Sequence, residues 1–223
     1  MTERDGSVLG SCEAVKVLST ALIFFFAGAA FAQKTAQIRF TFENQNLQPA
    51  GYTLEISEDG TGTYTDTDAG SGAQLRAIRI HEPLLSELFA TARAHKLFAM
   101  DCESGQRKVA FTGKKQLTYS GPEGNGSCTF NYSHEKALND AAADLMNVAF
   151  TLEEGARLKS ERVHDRLGLD EELGTLQDAA QQHRALEIGN IAPELESIAN
   201  DDAVMDRARS RARKLLSESA TSR

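Results

Sequence analysis

Tryptophan is absent from this 223-residue chain, and cysteine appears only three times, at Cys12, Cys102 and Cys128. No two cysteines stand in C-x-x-C spacing, which excludes the usual redox and zinc-ribbon motifs. The five histidines, His81, His95, His134, His164 and His183, are scattered, and no H-x-x-x-H or H-E-x-x-H occurs, so no zinc-protease helix is encoded. His134-Glu135 and His164-Asp165 are adjacent pairs, and helix neighbours diverge by about 100°, too far to share a ligand. No G-x-S-x-G elbow surrounds a serine, and no G-x-x-x-x-G-K-[ST] loop is present to cradle a phosphate. Asp66-Thr67-Asp68-Ala69-Gly70 starts like a calcium loop, but Gly70 stands where the third ligand belongs and Ala77 where the closing glutamate belongs. No catalytic residue, cofactor or metal is therefore expected.

Cations are also scarce. Lys and Arg total 24 against 32 Asp and Glu, a formal net charge of −8, which argues against a nucleic-acid or anionic-lipid partner. Long apolar runs are missing except at the front, where Val17 to Ala32 follows Lys16 and centres on Ala21-Leu22-Ile23-Phe24-Phe25-Phe26. A membrane-spanning helix needs about 20 apolar residues, and this run is shorter. It closes on Ala30-Phe31-Ala32, the small-x-small order that a signal peptidase reads, so residues 1–32 are expected to be a cleaved signal with the cut between Ala32 and Gln33. Glu3, Asp5 and Glu13 outweigh Arg4 ahead of Lys16, unlike an ordinary signal, and suggest that translation starts near Val15. Cys12 precedes the apolar run and so cannot be a lipoprotein cysteine. The expected location is periplasmic or secreted, with no stable membrane anchor after cleavage. Cys102 and Cys128, the pair that export leaves, are then expected to form one disulfide, since neither lies in a reactive-thiol signature.

What remains is patterned, and apolar residues make up 41% of the chain, enough for a core. Ile38, Phe40 and Phe42 alternate with polar residues, as do Tyr52, Leu54 and Ile56, which marks half-buried strands. Asp59-Gly60 reads as a hairpin turn into Thr61–Thr65, and a fourth strand runs through Leu75, Ile78 and Ile80. Glu82-Pro83 opens a helix with the apolar stripe Leu84, Leu85, Leu88, Phe89 and Ala92, reaching about Lys96. Lys108–Thr112, Gln116–Ser120 and Ser127–Tyr132 read as three further strands.

From Ser133, a reasonable N-cap, the period is helical. Gly155 is a point where the first long helix is expected to break or kink, Asp170 and Asn200 are expected caps of later helices, and Pro193 opens another. The fold class is α+β: an antiparallel sheet with one crossing helix over residues 33–133, then an all-helical region over 134–223. No Pro/Gly/Ser-rich linker separates the two, so the helical region is expected to pack on the sheet. Residues 207–223 are mainly basic after a mainly acidic stretch, and Arg207, Arg209, Arg211 and Arg213 spread around their helix. This tail is expected to complement its helix dipole and the acidic helices before it.

Through Gly51–Tyr64, the helix exit Leu88–Asp101 and the helices of Leu186–Leu216, the chain resembles uncharacterised exported proteins of soil bacteria, over residues 36–218. The resemblance implies bacterial export and carries no catalytic residue. Three functions compete: a non-enzymatic interaction module with an envelope or extracellular protein partner; a hydrolase-type enzyme whose site gathers His81, His95, Asp101 and Glu103 around the ends of one helix; and a structural component of the envelope, for which only the basic tail argues.

Overall fold

Alternation decides the sheet. In a computed structural model that describes residues 35–66, 75–106 and 108–221, strand β1 (Gln37–Glu43) buries Ile38, Phe40 and Phe42 and turns Arg39 and Thr41 outward. Its two neighbours, β2 (Gly51–Ser57) and β5 (Lys114–Gly121), pair with it antiparallel. Phe40 faces Leu54 on one side and Leu117 on the other, so the three buried rows coincide. A slip of one residue would put every one of these side chains in water, which pins the register. With β3 (Thr61–Asp66), β4 (Leu75–Arg79) and β6 (Gly124–Phe130), the order is β4-β3-β2-β1-β5-β6. The rings of Phe42, Tyr52 and Tyr64 run across three strands, 5.2 and 5.8 Å between centroids. The other face is polar, with an Arg39–Glu55 ion pair and hydroxyl contacts Thr41–Thr53 and Thr118–Ser127.

The apolar face is covered by α1 (Leu84–Ala94), through Leu85, Leu88, Phe89 and Ala92, and by α2 (Lys136–His164). Helix α2 runs 29 residues, about 43 Å. It buries residues on more than one side because α3 (Leu169–Gln181), α4 (Ala192–Ala199) and α5 (Asp206–Thr221) pack beyond it. One continuous core joins strands and helices, and the described residues form one compact unit. The fold is α+β with an antiparallel sheet and a helical C-terminal region.

Several local expectations change. Residues 108–112 are not a strand: the Asn131 side chain takes the Thr112 N–H at 2.8 Å and donates to the Ala110 carbonyl at 3.0 Å, and Phe111 is exposed. The edge of β6 is instead met by Lys96–Phe98, three consecutive residues with φ of 53–65°, a single left-handed turn. Gly126 permits this approach, since a Cβ there would lie 2.2 Å from the Leu97 carbonyl oxygen. Ser133 is not the cap of α2. Its Oγ accepts the Glu135 N–H, and Asn139 clamps its backbone from both sides before the helix starts at Lys136. Gly155 neither breaks nor kinks α2. It is a notch filled by Ile191, whose Cγ2 would stand 2.3 Å from an added Cβ. Asp170 lies inside the first turn of α3, and Asn200 ends α4 instead of starting α5.

Cys102 and Cys128 are bonded, Cα atoms 5.7 Å apart, and tie the chain after the left-handed turn to β6. The 26-residue separation gives about 3 kcal/mol of stabilisation in the chain-entropy view. Residues 1–32, with the expected signal, the Ala32–Gln33 cut and the alternative start, lie outside the described residues, as does most of the 66–77 loop tested for calcium.

Candidate functional site

The β4–α1 junction and the connection after α3 are stitched together by side chains. Asn190 Oδ1 accepts the Arg79 N–H at 2.7 Å and its Nδ2 donates to the Arg79 carbonyl at 2.9 Å, in the manner of a strand partner. Glu187 adds two bonds: Oε1 accepts the His81 backbone N–H at 2.7 Å, and Oε2 lies 2.6 Å from His81 Nδ1. A carboxylate only accepts, so the proton sits on Nδ1 and the ring orientation is fixed. Glu187 reaches this position with φ 56° and ψ 43°, a left-handed conformation that costs a non-glycine residue of order 1 kcal/mol and that these two bonds offset. Asn147 of α2 donates to the His183 carbonyl at 3.1 Å and fixes the same connection from the other side.

Between these braced segments, the first turns of α1 and the end of α5 lies a cleft of about 680 Å³. Its apolar surface comes from Leu84, Leu186, Ile188 and Leu215. Its polar lining includes five carboxylates, Glu82, Glu87, Asp144, Glu187 and Glu218, two imidazoles, His81 and His183, and the neutral Gln181 and Ser219, with no Lys or Arg among the described residues. Glu82 accepts the Ser86 N–H at 3.1 Å at the start of α1, and Lys214 stands 3.8 Å from Glu218. Glu87 of α1, which is exposed, and Asp144 of α2 both line the cleft, and neither side chain takes a hydrogen bond or ion pair from a described residue. Burial, and then the charges of Glu87 and Asp140, push the Asp144 carboxyl above the usual aspartate range. A second cleft, about 210 Å³ beside Tyr64, Arg76, Glu153 and Arg157, is smaller and carries both signs of charge.

The four residues named for a hydrolase have three separate settings. His81 and His95 stand at opposite ends of α1, about 16 Å of helix apart, too far for the convergence expected of them. His95 bonds the Thr91 carbonyl and lies 3.6 Å from Glu135. Asp101 accepts the Glu103 N–H, and Glu103 accepts the Asn131 N–H at 2.6 Å, which holds its carboxyl below the usual range. His81 alone lines the cleft. Glu87, Asp144 and Glu187 carried no sequence signal, because Glu187 meets His81 across 106 residues of chain. Among the described residues no group of His, Cys, Asp and Glu is arranged to hold a metal ion.

The basic tail is paired, though not as its dipole requires. The last turn of α5 carries no basic residue. Arg207 and Arg211 instead share Asp170 of α3, Arg209 pairs with Asp202 and Asp206, and Arg213 donates to the Ala199 carbonyl. No protein-family model matches this chain, and no curated protein sequence matches it.

Proposed function

We propose that this protein is an exported, non-enzymatic binding module of the periplasm or cell exterior, with the cleft between α1, α2, the α3–α4 connection and α5 as its ligand seat. The observation that carries the reading is the cleft itself. About 680 Å³ lies within the range of ligand sites, and its walls are held by paired side-chain bonds from Glu187 and Asn190. The Cys102–Cys128 bond supports export, since structural disulfides persist in oxidising compartments. No described helix is long and apolar enough to cross a membrane.

Two measurements test this. Intact mass of the protein from fractionated cells should give a chain starting at Gln33 with one disulfide; an uncut, reduced chain in the cytosol would overturn export. Equilibrium dialysis of the purified protein against an envelope small-molecule extract should retain a compound that a cleft-filling Leu84→Trp variant does not; retention of nothing would overturn the seat.

One observation favours a second reading, hydrolysis at His81. Glu187 orients the ring as a carboxylate orients a general base. Against it, the Ser219 hydroxyl in the same cleft donates to the Leu216 carbonyl at 2.9 Å, and Cys102 and Cys128 are oxidised. Turnover of simple esters that disappears in His81→Asn would establish this reading. The structural envelope role loses its support, because the tail arginines that suggested it are engaged by Asp170, Asp202 and Asp206.

A further inference from the structure

We propose that Asn125 is the acceptor for an N-linked oligosaccharide, a modification site that lies outside the cleft and rests only on the export part of the reading above. Two N-x-[ST] acceptor triplets occur in the chain, Asn125-Gly126-Ser127 and Asn131-Tyr132-Ser133, and the fold treats them oppositely. Asn125 is the second residue of β6, beside the Pro122-Glu123 turn, and pairs with Ser120. Cys128 and Phe130 are buried, so alternation turns Asn125, Ser127 and Thr129 to the polar face, opposite α1 and α2. The Asn125 side chain is exposed and takes no hydrogen bond from a described residue. Ser127 Oγ, the hydroxyl that a transferase recognises, is also exposed and meets only surface groups, Thr118 Oγ1 at 2.9 Å and Gln116 Nε2 at 3.2 Å. Glu123 adds a carboxylate two residues ahead of the acceptor, the further feature that bacterial oligosaccharyl transferases read; Thr129 holds that place before Asn131. The second triplet is closed. Asn131 Nδ2 donates to the Ala110 carbonyl at 3.0 Å, its Oδ1 accepts the Thr112 N–H, and Ser133 is buried with Oγ bonded to the Glu135 N–H. A sugar on Asn131 would break these bonds.

In the transfer, Asn125 Nδ2 bonds to the anomeric carbon of a sugar carried on a lipid pyrophosphate. The bond from that carbon to the phosphate oxygen breaks, the lipid pyrophosphate leaves, and Nδ2 gives up one proton. Cys128 follows Ser127, so its bond to Cys102 holds the triplet in β6, and transfer acts on the exported chain before that bond closes. The test is mass spectrometry of a chymotryptic digest of the protein from cell envelopes, since a cut after Phe130 separates the two triplets. Expected is a saccharide mass series on the Asn125 peptide and none on the Asn131 peptide. Asn125→Gln and Ser127→Ala should abolish it, Ser127→Thr should retain it, and Glu123→Gln should lower the occupied fraction severalfold. These side chains are exposed, so all four variants should melt with the native protein, which separates loss of the acceptor from misfolding. A chain that starts at Gln33, carries the disulfide and has an unmodified Asn125 overturns the glycan and leaves export standing. An uncut, reduced chain overturns export and the glycan with it. A saccharide that survives Asn125→Gln overturns the assignment to this residue.

Discussion

Single buried carboxylates carry the sharpest consequences. Glu154 of α2 has a side chain 2% exposed, one oxygen without a hydrogen bond, Arg157 at 3.3 Å, and Glu172 of α3 nearby, which Arg157 also reaches at 3.0 Å. Burial, then Glu172, pushes its carboxyl up to about 8. A raised folded pKa means that the stability is present in full below the ordinary range near 4.5 and is lost as pH rises through about 8. Glu154→Gln should therefore exceed the native protein in urea stability at pH 9 by about 2 kcal/mol, with the difference fading below pH 5. A difference independent of pH would show that the carboxyl is not desolvated. Asp144 gives a second prediction. The charges of Glu87 on α1 and Asp140 on its own helix add to burial in raising it, while Glu82, His81, His183, Glu187 and Glu218 line the same cleft. A raised carboxyl costs stability once it is charged, so Asp144→Asn should exceed the native protein in urea stability at pH 7, with the difference fading as pH falls below the ordinary aspartate range. Urea midpoints across that range measure it.

At the scale of elements, what could be read followed from period. Alternation in 38–42 and 52–56 gave strands because one face of each meets a core, and the 84–92 stripe gave a helix for the same reason. The pattern at 108–112 had no such partner. Val109 and Phe111 alternate, yet the neighbouring edge is occupied by the left-handed turn and by the Asn131 amide, a tertiary outcome that local spacing does not encode. Glycine misled in the same way: Gly155 reads as a helix breaker, but its lack of a side chain admits Ile191. Gly155→Ala should cost about 2 kcal/mol by overpacking, and Ile191→Ala in the same chain should recover part of it. Gly126→Ala should cost at least as much, about 2–3 kcal/mol, because its Cβ meets backbone atoms of Leu97 and Ala99 that cannot rotate away. Urea midpoints check all three.

For the whole molecule, the fold class was legible and the cleft was not. Strand and helix signals are local, whereas the cleft joins residues from 81 to 219 through contacts such as Glu187 to His81 and Asn190 to Arg79. The disulfide was legible because two cysteines allow one pairing once export is assumed. Its double alanine variant, Cys102→Ala with Cys128→Ala, should lose about 3 kcal/mol while keeping the cleft, since the bond lies at the β6 edge and lines neither cavity. The outer sheet face, rich in Thr41, Thr53, Thr63, Thr65 and Thr118, is the rival surface for a partner. The most direct discrimination is an amide-resonance map of the native protein saturated with the compound that dialysis against envelope extract retains. Expected are shifts centred on His81, Leu84, Asp144, Leu186 and Leu215; shifts confined to Thr41, Thr53 and Thr118, or none at all, would overturn the cleft as the ligand seat.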